Sequence, residues 1–442
     1  MTRDIKQLGH SFLLSLGGEG LQSGFHFILN LILIRTLSVY DFGLFAIVFV
    51  LGGIALSYGN ALVSVPATVY MPSGGSRRAV DYHDVLFGSV ALAISVAIAV
   101  IGAAGLWLTV GRGAEALAAG SFIGLWALRN HVRTVMFVRR RPTTATLSDF
   151  SYACSGIALV IMLLHFGPAV PNVTAVLAAL SIANIIAICA ALQALRKLPR
   201  ITGRRSVWQR YRAIWPDIAW SLISATTWSI QGQALMFLIA AFTGPAAYAP
   251  IAAGIVLFSP LRPAISAVMN VFRPDFVRAL AEGRYRHVTV TLYSLSAIIV
   301  LSCLAFGMCI WLGWPLLESH VFGDKFAQTS MPLIVFLSGL SALIYKTYYA
   351  PLALVQAAGQ FKPVALATTF GGIVGLGTVS VLLASTTVAW SLAGLVAGEA
   401  VCGIYLWAAA IGILHRQESR SFARRQTTPL TGPVSATKEL AI

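Results

Sequence analysis

Long apolar runs, broken by short polar stretches, recur along almost the whole chain. Runs of 18 or more residues are each long enough to cross roughly 30 Å of hydrocarbon as a helix. They predict spans at about 10–34, 42–68, 84–110, 116–138, 150–167, 174–195, 216–243, 246–270, 288–315, 331–354, 363–384 and 389–414. Tyr58, Gly59 and Asn60 interrupt the second run. The first run lacks a small-residue cleavage pattern and reads as a retained span. In lipid, a segment must satisfy its own backbone polar groups. The pattern therefore predicts an all-α integral membrane protein with about 12 transmembrane helices.

Composition sharpens this. The chain is 57% hydrophobic and only 10% charged, with mean hydropathy +0.80, whereas soluble domains carry about 25% charged residues. A net charge of +16 would suit nucleic acid, but the charges sit in short loops between apolar runs, so no nucleic acid is expected as a partner. One set of loops and ends holds Arg3, Lys6, Arg77, Arg78, Arg139, Arg140, Arg141, Arg204, Arg205, Arg284, Arg286 and Arg416, among others. The opposite set holds only Arg35, Arg112 and Lys325. The positive-inside rule then places both termini in the cytoplasm of a multi-pass protein of the cell inner membrane. Cys154, Cys189, Cys303, Cys309 and Cys402 lie inside apolar runs without metal-ligand spacing, and neither metal nor cofactor is expected. No G-x-x-x-x-G-K-(S/T) loop occurs, which argues against ATP hydrolysis.

The chain divides into a six-span half (1–195), a basic linker (196–215), a second six-span half (216–414) and a polar tail (415–442), expected to be disordered. In the linker Trp208, Tyr211 and Trp215 recur at helical spacing among Arg204, Arg205, Arg210 and Arg212. That suits either an amphipathic helix in the headgroup layer or a solvated basic linker. The halves resemble each other weakly. Gly124–His131 aligns with Gly339–Lys346 in the fourth span of each half, and Val69–Pro72 aligns with Val271–Pro274 at the close of each second span. Six spans per half give both the same orientation, as in parallel transporter repeats.

Arg35-Thr-Leu-Ser-Val-Tyr-Asp-Phe-Gly43 resembles the R-x-L-x-x-x-(D/E)-(Y/F)-G signature of bacterial polysaccharide transporters, with Ser38 where that family often has Gly. These are the lipid-linked oligosaccharide, O-antigen and exopolysaccharide flippases of the multidrug/oligosaccharidyl-lipid/polysaccharide exporter superfamily. Val271–Gly283 and Val321-Phe-Gly-Asp-Lys-Phe326 resemble further segments of it, in the family's order, so that the resemblance covers about residues 5–412. It implies two six-helix lobes with pseudo-twofold symmetry around a central cavity. The implied task is to flip a polyprenyl-diphosphate-linked oligosaccharide between leaflets for cell-surface polysaccharide. Membrane lipids, a polysaccharide polymerase and glycosyltransferases are the implied partners. Locally, Asp41 can cap the second span and Gly43 permits close helix approach.

Ionisable residues inside spans usually mark a pathway. Arg129, His131, Arg133, Arg262 and Lys346 are the candidates for a cationic cavity that would hold a diphosphate. Arg133 is near enough to the span end to snorkel; Arg129 lies roughly 13 Å from it at 1.5 Å per residue. Lys346 aligns with His131, and Arg262 sits between two prolines, Pro260 and Pro263. Glu19, Gln22, His26 and Asn30 form a polar stripe on the first span, and Ser221, Ser224, Thr227 and Gln231 form one on the seventh. Such stripes serve either as interhelical glue or as the lining of a hydrated cavity. Glu19 is the candidate for proton coupling, with pairing to Arg129 as the alternative role, and Glu399 is the reserve. Two other functions compete. A drug or cation antiporter of the same superfamily would need acids in the cavity, where cations outnumber them. A membrane glycosyltransferase or polymerase would need a larger external loop than the dozen residues around Glu318–Ser330.

Overall fold

The computed structural model describes residues 2–71, 77–139, 141–167, 172–195, 201–229, 233 and 235–427, and the described elements are all helical. The first half comprises α1 (Thr2–Thr36), α2 (Val39–Gly59), α3 (Val65–Tyr70), α4 (Arg77–Val110), α5 (Gly113–Val138), α6 (Pro142–Phe166) and α7 (Val173–Leu195). A short helix α8 (Arg205–Ala213) follows in the linker. The second half comprises α9 (Trp215–Ser229), α10 (Leu235–Leu257), α11 (Leu261–Ala281), α12 (Tyr285–Leu312), α13 (Trp314–Leu317), α14 (Met331–Thr347), α15 (Tyr349–Ala357), α16 (Phe361–Ser385) and α17 (Leu392–Thr427).

Nine of the described helical runs are long and apolar enough to cross a membrane by length and composition alone. The twelve expected spans map onto the helices, several with internal breaks: a turn at 258–260 parts α10 from α11 inside the eighth, and Tyr348 parts α14 from α15 inside the tenth. Tyr58-Gly59-Asn60 does not end the second span: a π-helical turn at Asn60–Ser64 carries α2 into α3. The boundary expected between the seventh and eighth spans falls where α10 breaks. There Gly244 adopts φ 77° and ψ 172°, open to glycine, and Pro245 follows. The polar tail departs from expectation, because α17 continues as helix to Thr427; residues 428–442 lie outside the described ones.

The packing repeats between the halves. In the first half α4 packs on α5, α6 on α7, α5 on α7, and α2 on α5. By span order these match α12 on α14, α16 on α17, α14 on α17, and α10 on α14 in the second. The fold is thus two six-helix lobes, and they meet along α2 and α10. Gly43 makes this approach feasible: a Cβ there would fall 1.7 Å from the Pro245 carbonyl oxygen.

A second seam joins the two motifs singled out in the sequence. Ser38 caps α2, its Oγ accepting from the Asp41 amide at 3.0 Å and donating to the Asp41 carboxylate at 2.7 Å. Just before this cap, Lys325 of the Val321–Phe326 segment donates to the Ile34 carbonyl at 3.0 Å, the Arg35 carbonyl at 2.5 Å and the Leu37 carbonyl. Arg35 in turn donates to the Ser319 carbonyl at 3.1 Å. The end of α1 leaves carbonyls without intrahelical partners, and a cation from the other lobe supplies them.

The linker helix α8 docks on the first lobe. Its Val207 and Tyr211, with Ile218 of α9, join a buried cluster with Val63, Met71, Leu86 and Phe87. The Tyr211 hydroxyl donates to the Leu62 carbonyl at 2.9 Å. Burial pushes this phenol up to about 12, so it keeps its proton.

Candidate functional site

Two clusters of ionisable side chains lie inside the lobes. The first joins α5, α6 and α7. Arg129 is 1% exposed and Asp149 is fully buried. Arg129 donates from Nε to the Asn184 side-chain oxygen at 2.9 Å and from a terminal nitrogen to Asp149 Oδ1 at 3.1 Å. Arg133, one turn on, donates to Asp149 Oδ2 at 2.8 Å. The Arg129 guanidinium also lies 4.1 Å from the centroid of the buried Tyr152 ring. A Cβ at Gly18 would come within 2.6 Å of Asp149 Oδ2, so α1 closes over the cluster.

Asp149 is the residue that sequence reasoning missed. The fifth apolar run begins at residue 150, and Asp149 lies just outside it. The helix instead starts with Pro142 at its first position, seven residues earlier. Proline at a helix start was the available signal.

The second cluster joins α14, α15 and α17. Lys346 is 4% exposed. Its ammonium lies 4.5 Å from the Tyr345 ring centroid and 4.4 Å from that of Tyr349, and Nζ has no hydrogen-bond partner among the described residues. The Tyr345 and Tyr349 hydroxyls are 3.2 Å apart. Glu399, 9% exposed, accepts a hydrogen bond from the Tyr348 hydroxyl. Lys346 and Glu399 sit within electrostatic reach of each other, as do Lys346 and Arg262. Arg262 itself is exposed, at the second position of α11, just past the turn that separates it from α10.

The remaining candidates scatter. His131 is buried, with Nδ1 3.4 Å from Ser64 Oγ, and lines a cavity between α4, α5 and α7. His26 is packed among Phe25, Phe49, Trp126 and Tyr152, and neither ring nitrogen has a hydrogen-bond partner among the described residues. Asn30 donates back to the His26 carbonyl of its own helix at 2.7 Å. Gln22 and Ser221 are half-buried. The side chains of Glu19, Ser224, Thr227 and Gln231 lie outside the described residues. Between the lobes, Tyr58 donates to Thr226 at 3.1 Å, an interlobe bond the sequence did not disclose.

Chemically, neither cluster resembles a catalytic constellation or, among the described residues, a metal site. The first is an ion-pair knot in which both Asp149 oxygens are taken. The second offers a cation on an aromatic platform beside a carboxyl held by a phenol.

No protein-family model matches the chain, and no curated protein does. Solved structures do match over nearly its whole length. One is an inward-facing multidrug resistance MATE family transporter of the MOP superfamily, with a TM-score of 0.64, 16% identity and 96% of each chain covered. An outward-facing transporter of the same description has a TM-score of 0.58 at 12% identity, over 92% of this chain and 96% of that one. A eukaryotic MATE transporter has a TM-score of 0.56 at 15% identity, over 96% and 99%. At these identities the likeness is one of fold.

Proposed function

We propose that a chain with this fold is an exporter that carries an anionic amphiphile across the membrane by alternating access of its two lobes, the cargo being a polyprenyl-diphosphate-linked oligosaccharide. One observation carries the choice of cargo. Lys346 is a buried cation with no hydrogen bond and no ion pair among the described residues. An unpaired charge in a low-dielectric interior is costly, and an arriving phosphate would stabilise it. The polysaccharide-transporter motifs support the same cargo. The fold of known transporters supports export as such.

A second reading has its own support. The named structural neighbours are multidrug transporters, so the comparisons stand closer to drug or cation antiport than to oligosaccharide flipping. The antiport reading would use buried acids, and Glu399 is the freer of the two, because Asp149 is already shared by two guanidinium groups.

Proteoliposomes separate the readings. The parent protein is expected to move a lipid-linked oligosaccharide, Lys346→Met to lose that movement, and Lys346→Arg to keep part of it. If the parent exchanges lipophilic cations for protons and leaves the lipid-linked sugar in place, the anionic cargo is wrong and antiport takes its place.

A further inference from the structure

A cavity of about 210 Å³ opens between α4, α5 and α7 at the end of the first lobe that carries the basic loops. Its wall is chiefly aliphatic, with Leu92, Leu128, Val132, Ile188 and Leu192 contributed by the three helices. Apolar cavities of ~150 Å³ already take up a molecule the size of benzene. The chamber lies in the first lobe, on the side where the linker docks, whereas Lys346, on which the proposed cargo rests, lies in the second.

The ionisable side chains in its wall are Asp84, Arg139 and, about two turns along α5 from Arg139, His131. Asp84 and Arg139 both line it and form an ion pair with each other. Ile201 of the linker completes the wall. Two bonds of the described linker residues hold it at this place. The Thr202 amide donates to Ser89 Oγ at 3.0 Å, and Tyr211 donates to the Leu62 carbonyl at 2.9 Å. Arg204, Arg205, Arg210 and Arg212 follow directly and are exposed. The charge of Arg210 reaches His83, the chain neighbour of Asp84. An aliphatic slot thus ends at Ile201, from which the chain runs directly into a helix that, with its cap, carries four exposed arginines.

We propose that this slot holds one acyl chain of an anionic phospholipid, whose phosphate lies against the linker arginines. Chain and headgroup are matched separately. The slot packs methylenes against aliphatic walls and competes with bulk lipid through fit, while the arginines select negative charge, as basic pockets between transmembrane helices do. The inference does not depend on what the protein exports.

Purified full-length protein, washed free of lipid, would be offered equal amounts of phosphatidylglycerol and phosphatidylcholine, and the retained lipid measured by native mass spectrometry. The parent is expected to retain the anionic lipid about tenfold over the zwitterionic one, the preference that one or two arginines near an anionic headgroup supply. Arg204→Gln with Arg205→Gln should reduce that preference to near unity, and both positions are exposed, so folding is not at stake. Val132→Trp should fill the slot and lower retention of both lipids about tenfold, the loss of roughly two buried methylenes. Equal retention of the two lipids by the parent would overturn the proposal. So would a preference that survives the linker substitutions, or retention unchanged in a folded Val132→Trp protein.

Discussion

Asp149 places one buried negative charge between two guanidinium groups, of which Arg129 is buried and Arg133 partly exposed. Each of its oxygens is taken, one by Arg129 and one by Arg133. Removing one member of a buried pair leaves the other uncompensated and costs about 3–5 kcal/mol. Asp149→Asn should therefore lower the unfolding midpoint of the detergent-purified protein strongly. Adding Arg129→Met should restore part of the loss, because the stranded charge goes with it. A double variant less stable than the single one would show that Arg129 stabilises the lobe through other partners, of which Asn184 is one. Arg129 and Lys346 were legible in the sequence, since a charged letter inside an apolar run stands out. Their different surroundings were not, because pairing depends on which helices cross. Arg129 meets an acid from α6, whereas Lys346 meets two tyrosine rings, one on α14 beside it and one on α15.

Among helices, the informative places are the ends and the crossings. The Arg35–Gly43 signature builds the exit of α1, the cap of α2 and the closest approach of α2 to α10. The cap expected at Asp41 falls instead on Ser38, with Asp41 three residues on as its partner, while the role of Gly43 follows from small-residue packing. The signature's partner segment, Val321–Phe326, lies nearly 300 residues away, and no periodicity links the two. Glycines along α2 differ in what they exclude. A Cβ at Gly43 meets backbone, the Pro245 carbonyl, while a Cβ at Gly53 meets only the amide end of the Gln233 side chain at 2.4 Å. Backbone cannot swing aside. Gly43→Ala should thus destabilise by about 1–3 kcal/mol, the range of overpacked cores, and Gly53→Ala should fall well below it. Thermal melts of the two proteins in one detergent check this ranking, and an equal loss would refute it.

Across the whole molecule, the twelve-span pattern and the internal repeat were readable because a bilayer enforces span length and a duplicated half repeats its helix contacts. The joints were harder to read: a π-helical turn can carry a polar Tyr-Gly-Asn through a span, and a basic tail can stay helical. The seam between lobes at Lys325 has a consequence for their relative motion. Separation at that end must break its bonds to the end of α1. Lys325→Ala should then lengthen the distance between spin labels at Arg112 and Gln328, both exposed on opposite lobes. An unchanged distance distribution would show that other contacts hold the seam.

The same cap makes the tip of α1 a clock. The Leu37 amide bonds to the Leu33 carbonyl at 3.0 Å in the last turn, and the Leu37 carbonyl is one of the three that Lys325 holds. Each time the lysine departs, that turn loses its tether and can fray. Deuterium uptake at Leu37 should therefore count excursions of the lobes, with no label attached and no cargo identified. Uptake there should rise in the Lys325→Ala protein while it stays low at Leu29, two turns deeper in the same helix.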